Sequence, residues 1–320
     1  SNLVRLDQQI GNILRQLKDD GLYNETIIFF YSDHGGPFPR FKRALFETGI
    51  KIPLMIRLTN PGHHEMRENT MVSFIDFGPT ILSLAGIRPP DHMQGRAFLG
   101  KYKTEKNKPF VFATADRFDE TYDRVRGVKS TRYKYIRNFN TAKPYALPNK
   151  YRMNMPMMQR LLELHEGGAL DSLSSLWMAD QKPPEELYDL ISDPFELKNL
   201  ANDPIYQDTM ERMSAQLDRW ITETNDLGRF DEKELIRRWR IDGRQPELEP
   251  PIFKVNRDAL NILSVRSDAT IVWKDPASDR WSLYDQPLNL EEGDTVQAKV
   301  VRIGYADSKV VVFPQNLYEN

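Results

Sequence analysis

Apolar residues at Leu3, Leu6, Ile10, Ile13, Leu14 and Leu17 recur at three- and four-residue steps, which predicts a one-faced helix over 3–17. Gly21 follows where such helices close in the left-handed conformation. The pattern then changes. Thr26-Ile-Ile-Phe-Phe-Tyr31 is continuously apolar, the signature of a strand covered on both faces in a parallel sheet. A second strand is predicted over 52–57, with Pro53 near its start. Helical spacing returns over 75–84, with Asp76 as the cap and Gly86 as the stop.

From Lys108 the pattern shortens. Residues 110–114, 125–130 and 133–138 predict antiparallel strands joined by charged turns, and 204–224 predicts a long helix presenting Met210, Met213, Leu217, Trp220 and Ile221 on one face. A shorter helix around 161–164 ends at Gly167-Gly168. The Pro- and Glu-rich stretch 244–251 reads as a linker. Beyond it, strands over 269–274, 281–284, 295–302 and 309–313 outline a small all-β module.

The expected organisation is therefore an α/β segment over 1–107, an antiparallel-sheet subdomain over 108–245 and a small β-sandwich over 246–320. One buried strand with one or two neighbours is an incomplete sheet. Its missing strands are expected upstream of residue 1, with Ser1-Asn2 as a vector remnant. Exposed strand edges and apolar faces then predict self-association.

Composition narrows the function. With 320 residues the chain can bury a sizeable core, and no apolar run approaches the roughly 18–20 residues of a membrane-spanning helix. A formal charge of −2 argues against a general nucleic-acid binder, but leaves room for a local basic pocket facing an anionic ligand. With no cysteine, disulfides and thiolate-bound zinc are excluded.

Chemistry concentrates at the end of strand 26–31, where Ser32-Asp33-His34-Gly35-Gly36 is followed by Lys42. Asp33 offers a hard oxygen and His34 a nitrogen. Adjacent side chains of a strand diverge, so the two converge only if the chain turns, and the glycine pair permits that. By chemistry alone a histidine favours zinc or manganese over calcium. An ordinary turn aspartate beside a surface histidine accounts equally well for these two residues alone.

Together with Lys42-Arg-Ala-Leu-Phe-Glu47-Thr-Gly49 and Pro53, this strand end resembles the sulfatase family. The likeness continues through Asp76-Phe-Gly-Pro79-Thr80, Met93-Gln94-Gly95, Glu186-Leu-Tyr188-Asp189 and Asp193-Pro194. It implies the downstream part of an alkaline-phosphatase-like fold and hydrolysis of sulfate esters or sulfamates. It also implies Asp33 and His34 as two ligands of a calcium ion (Ca2+), and Lys42 as the cation that binds sulfate. The family's nucleophile is a formylglycine made in a Cys/Ser-x-Pro/Ala-x-Arg motif, and no such motif occurs in these 320 residues. By itself the chain is expected to be inactive and to hold calcium weakly. A periplasmic or secreted location is also implied.

Pro37-Phe38-Pro39 and the segment from Arg126 to Tyr145 resemble the heparan N-sulfatase branch, which implies a glycosaminoglycan or other sulfated polysaccharide as substrate. Arg117 and Arg126 stand in a basic stretch that reads either as a subsite for neighbouring anions or as a solvated sheet face. His92 lines a substrate cleft on the first reading and sits in a turn on the second. His63-His64 and His165 read as surface residues. The tail resembles small β domains appended to chitobiase and hexosaminidase enzymes, with Trp273, Trp281 and Tyr305 as packing or glycan-binding aromatics. Two alternatives remain open: a phosphodiesterase or phosphonate hydrolase of the same superfamily, and a non-catalytic sulfated-glycan binding protein.

Overall fold

The computed structural model describes residues 2–59, 70–104, 108–256, 259–291 and 293–314. It divides into one unit ending at Asp226 and a second beginning at Leu227. The boundary expected after 107 falls inside the first unit, because Leu45 and Phe46 share one core with Ile136 and Tyr188. The boundary expected after 245 falls inside the second.

In the first unit, α1 (Asn2–Asp19) is closed by Gly21 at φ 74°. Its apolar stripe remains exposed at Leu3, Leu6 and Ile13. Strand β1 (Ile28–Tyr31) pairs with β2 (Leu54–Arg57), Ile28 opposite Arg57 and Tyr31 opposite Leu54. This pairing is antiparallel, which corrects the expectation of a parallel neighbour. A parallel return needs a crossover of a dozen or more residues, usually a helix. The only helix in the connection is the four-residue α2 (Glu47–Ile50), so the chain comes straight back alongside. Nor is β1 covered on both faces here: Tyr31 is exposed and the other three residues are half-buried.

Helix α3 (Phe77–Leu84) docks on β1 through aromatic rings, Phe77 lying 6.1 Å from Phe29 and 5.0 Å from Tyr31. A 3-10 turn over Phe74–Asp76 precedes it, opened by a reciprocal capping box between Ser73 and Asp76. Asp76 is thus more than a cap. Its buried carboxylate accepts from Ser73 N (3.0 Å), Arg96 N (2.8 Å) and Lys108 Nζ (2.6 Å).

Strands β3 (Val111–Phe118), β4 (Thr121–Lys129) and β5 (Tyr133–Asn138) form an antiparallel meander. Helices α4 (Lys150–Met153), α5 (Pro156–Glu166) and α6 (Ser172–Met178) follow, and β6 (Glu185–Asp189) then adds beside β5. Alternation along β5 and β6 builds two cores. Tyr135 and Leu187 face α7 (Gln207–Glu223), packing with Met210, Met213 and Leu217. Ile136 and Tyr188 face the opposite way, against Leu45, Phe46, Met158 and Trp177. The second core ties the Lys42 segment to this sheet.

The second unit starts with α8 (Glu232–Trp239). Strands β7 (Ile252–Asn256) and β8 (Ala259–Leu263) form a sheet with β11 (Leu288–Asn289). Strands β9 (Thr270–Lys274), β10 (Ser282–Leu283), β12 (Val296–Val301) and β13 (Val311–Phe313) form the other sheet. Leu260 and Ile262 of the first sheet share a core with Val296 and Ala298 of the second, which makes a small β-sandwich. Trp273 packs into that core. Trp281 is covered by Lys299 at 4.9 Å and Tyr305 by Arg302 at 4.7 Å.

Candidate active site

The chain turns as it leaves β1. Ser32 Oγ donates to the His34 carbonyl (2.7 Å) and His34 N donates to Asp33 Oδ1 (3.0 Å). The Asp33 and His34 side chains do converge, with Nε2 3.1 Å from Oδ2. His34 Nδ1 lies 2.7 Å from the Gly35 carbonyl, an acceptor only, so Nδ1 carries the hydrogen. In the neutral ring that leaves the Nε2 lone pair on the Asp33 side, as a metal-binding histidine requires. Asp33 has 80% of its side chain exposed.

Two glycines lock this turn to the Lys42 loop. Gly35 N donates to the Gly49 carbonyl (2.9 Å), and a Cβ at Gly35 would collide with the Thr48 carbonyl. A Cβ at Gly49 would collide with the Phe41 and Ala44 carbonyls. Backbone approach this close admits only glycine. Lys42 N donates to the Gly36 carbonyl (3.1 Å), so the lysine leaves from the same knot. Arg40 (φ 65°) and Arg43 (φ 72°) flank it in the left-handed region. Such conformations cost about 1–3 kcal/mol each and persist where surrounding contacts enforce them.

Those contacts come from a buried ion cluster. Lys134 Nζ, on β5, bridges Glu47 Oε1 (2.7 Å) and Glu196 Oε1 (2.8 Å) and donates to the Leu45 carbonyl (3.0 Å). Lys129 Nζ holds Glu47 Oε2 (2.6 Å), and Glu47 N donates to Glu196 Oε2 (2.5 Å). Arg40 stacks 3.9 Å from the Phe46 ring centroid and donates to the Phe195 carbonyl (2.6 Å) and the Glu196 carbonyl. Burial pushes the Glu47 carboxyl up, but the two ammonium groups outweigh it and hold it below its ordinary value. Burial prevails at Glu196, which is raised. Glu47, Lys134 and Glu196 were not singled out by sequence reasoning. The signal available was that Glu47 stands in the Lys42–Gly49 stretch and that Glu196 lies two residues past Asp193-Pro194.

Arg126 is not a surface subsite. Its side chain is 1% exposed and is held between Asp116 (Nη1–Oδ1, 2.6 Å) and Asp226 (Nε–Oδ2, 2.6 Å), so its donors are spent inside the protein. Arg117 is exposed and donates to the Asp119 (3.3 Å) and Glu120 (3.0 Å) carbonyls across the β3–β4 turn. His92 is exposed in a turn, and His165 sits in the last turn of α5. His63-His64 lie outside the described residues.

Asp33 and His34 can serve as two donors of a metal site. A calcium ion takes six to eight oxygen ligands. Among the described residues no three His, Cys, Asp or Glu side chains gather around one point. The aspartate oxygen fits calcium well and the imidazole nitrogen less so, and the pair fits as part of a site.

Residues 36–160 match the family described as N-sulphoglucosamine sulphohydrolase, C-terminal. Over 317 residues the chain is 41% identical to an ulvan-active sulfatase of Formosa agariphila, covering 97% of this chain and 53% of that protein. It is 30% identical over 240 residues to human N-sulphoglucosamine sulphohydrolase, covering 69% of this chain and 46% of that protein. Among solved structures, a 2-O GAG sulfatase aligns with a TM-score of 0.50 at 22% identity, over 69% of this chain and 41% of its own. A putative sulfatase from Bacteroides fragilis aligns with a TM-score of 0.50 at 23% identity, over 71% and 42%. These structural likenesses show an alkaline-phosphatase-like sulfatase fold. The chain belongs to the sulfatase family and corresponds to its C-terminal region. It spans about half the length of the curated relatives it matches.

Proposed function

We propose that the complete protein hydrolyses sulfate groups on a sulfated polysaccharide, and that this chain supplies the sulfate-gripping lysine and part of the metal site. The observation that carries this reading is the glycine knot. It brings the convergent Asp33–His34 donors and the Lys42 loop together at one strand end. Asp33 and His34 would hold a calcium ion, which supplies Lewis-acid polarisation of a sulfate oxygen when bound. Lys42 places a fixed ammonium where negative charge grows on the sulfate oxygens as the bond to the sugar breaks. The formylglycine nucleophile belongs to the family motif that these residues lack. A periplasmic or secreted location goes with this reading, as does association of the isolated chain through the exposed stripe of α1.

The substrate class follows from relatives named for ulvan and for N-sulphoglucosamine. We place this protein among sulfatases of polysaccharides, acting on an O-sulfate or an N-sulfate. The test is release of inorganic sulfate by the matured complete protein from ulvan and from heparan sulfate, beside phosphate and phosphonate esters. Sulfate release that falls roughly 100- to 1000-fold in Lys42→Ala is expected, the usual loss for a group that stabilises transition-state charge. Faster turnover of phosphate or phosphonate esters would overturn the proposal in favour of the superfamily alternative. Saturable glycan binding with no sulfate released would favour the non-catalytic one.

A further inference from the structure

A pocket opens beside Lys42, walled by Phe38, Phe118, Tyr151 and Met155 and carrying Lys42, Arg43 and Arg152 among its polar groups. Arg43, Phe118 and Arg152 also line an adjoining open pocket. Arg152 is the anomaly in this wall. It is 7% exposed, yet its Nη1 has no hydrogen-bond partner in the protein. Its guanidinium stacks 4.0 Å from the Phe118 ring centroid and 5.6 Å from that of Trp177, aromatic faces that accept no strong hydrogen bond. The nearby carboxylate is engaged elsewhere: Asp119 takes Arg43 Nη2 at 2.6 Å and the Asn149 amide. Burial first, and then the charge of Arg43, push the Arg152 guanidinium down to about 10.

Three other buried cations of this unit are matched, while half-buried Arg124 also keeps an unpaired Nε. Arg126 has two carboxylates, Lys134 has two, and Lys182 has Asp123. A buried donor left without a partner costs on the order of 1–3 kcal/mol, more when charged. At Arg152 that cost is met beside an open pocket rather than in a closed core. Among the described residues, the groups walling the pocket beside Lys42, Arg43 and Arg152 include no carboxylate.

We propose that this pocket is a second anion subsite, in which the Arg152 guanidinium grips a carboxylate or sulfate on the saccharide whose reacting sulfate lies at Lys42. The assignment of a saccharide rests on the proposed sulfatase reading. The anion pocket itself rests on Arg152. Phe118 and Trp177 keep the guanidinium flat and dry, which strengthens a charged hydrogen bond to an incoming oxyanion.

The test is a titration of the complete protein labelled on arginine, following the Arg152 Nε–Hε resonance identified by its loss in Arg152→Lys. The probes are glucuronate, methyl sulfate and the neutral methyl glucoside at matched ionic strength. A saturable shift with glucuronate assigns a uronate carboxylate, one with methyl sulfate assigns a second sulfate, and both are absent with the glucoside. No saturable shift with either anion, or an equal one with the glucoside, overturns the subsite. In the complete enzyme, Arg152→Lys should raise KM roughly tenfold for a saccharide carrying a second anion. It should leave kcat, and KM for a simple aryl sulfate, unchanged. Equal changes for both substrates would mark Arg152 as structural. If the complete protein releases no sulfate, the functional reading fails while the titration still decides the pocket.

Discussion

The turn at Asp33 and His34 and the cluster around Lys134 are both charged and both belong to the Lys42 segment, yet they are built on opposite terms. At the turn, side-chain partners are local, and the Asp33 carboxylate keeps most of its surface in water. In the cluster, Glu47, Lys134 and Glu196 come from three distant parts of the chain and pair with one another out of solvent. Charge at the turn remains available to a ligand. Charge in the cluster is spent holding the loop that carries Lys42. Under the proposed function, the difference separates residues that would do chemistry from residues that would position it.

That separation can be broken most directly at Lys134. Replacing it by Met leaves Glu47 and Glu196 facing each other, with only Lys129 remaining on Glu47. Removing one partner of a buried pair costs about 3–5 kcal/mol. Urea unfolding of Lys134→Met should show a loss of that order. A loss below about 1 kcal/mol would mean that the cluster is hydrated and does not brace the loop.

A smaller effect sharpens the same contrast through pH. The Glu47 carboxyl lies below its ordinary value of 4.5 because Lys134 and Lys129 outweigh its burial. A depressed carboxylate contributes stability that is complete above its unfolded value and is lost as pH falls through its folded value. Glu196, raised by burial, works in the opposite sense and favours acid. Glu47→Gln should therefore lose less stability than the wild type when the pH is lowered from about 6 to below 4.5. An unchanged acid limb would show that the Glu47 carboxyl is not depressed in the folded protein.

Much of this architecture was legible from periodicity. The Met210–Met213–Leu217 face and the alternation of 133–138 bury what their spacing predicts, whereas the stripe of α1 stays exposed at Leu3, Leu6 and Ile13 among the described residues. The direction of β2 was not legible, since a continuous apolar run marks burial and says nothing about which way a neighbour runs. Strand β6 stayed hidden because Glu185-Glu186 interrupts its apolar pattern. Glu186 is fully buried, takes hydrogen bonds from Asn138 and Tyr188, and is raised by burial. The β7–β8 hairpin was masked by its Pro- and charge-rich approach. At the turn, Asp33, His34 and Lys42 were named from a family resemblance, and what the structure adds is the convergence of the first two. Arg126 was read as solvent-facing because a run of arginines looks alike whether its carboxylates lie across a strand or a hundred residues away. Arg152 gave no signal, for its importance lies in the absence of a partner.

The smallest effect on stability is expected at the turn itself. Asp33→Asn keeps an oxygen that can accept from His34 N and removes a charge that lies mostly in water. Exposed positions of this kind usually change stability by no more than about 0.5 kcal/mol. Metal affinity should respond in the opposite proportion, because a carboxylate contributes a full charge to a hard cation and an amide oxygen contributes only a dipole. In the complete protein, Asp33→Asn should melt with the wild type in the absence of calcium and require at least roughly tenfold more calcium to gain its stabilisation, since ligand binding to the folded state raises stability by mass action. A melting point that drops without calcium would put Asp33 among the bracing residues, and would erase the distinction between the turn and the Lys134 cluster.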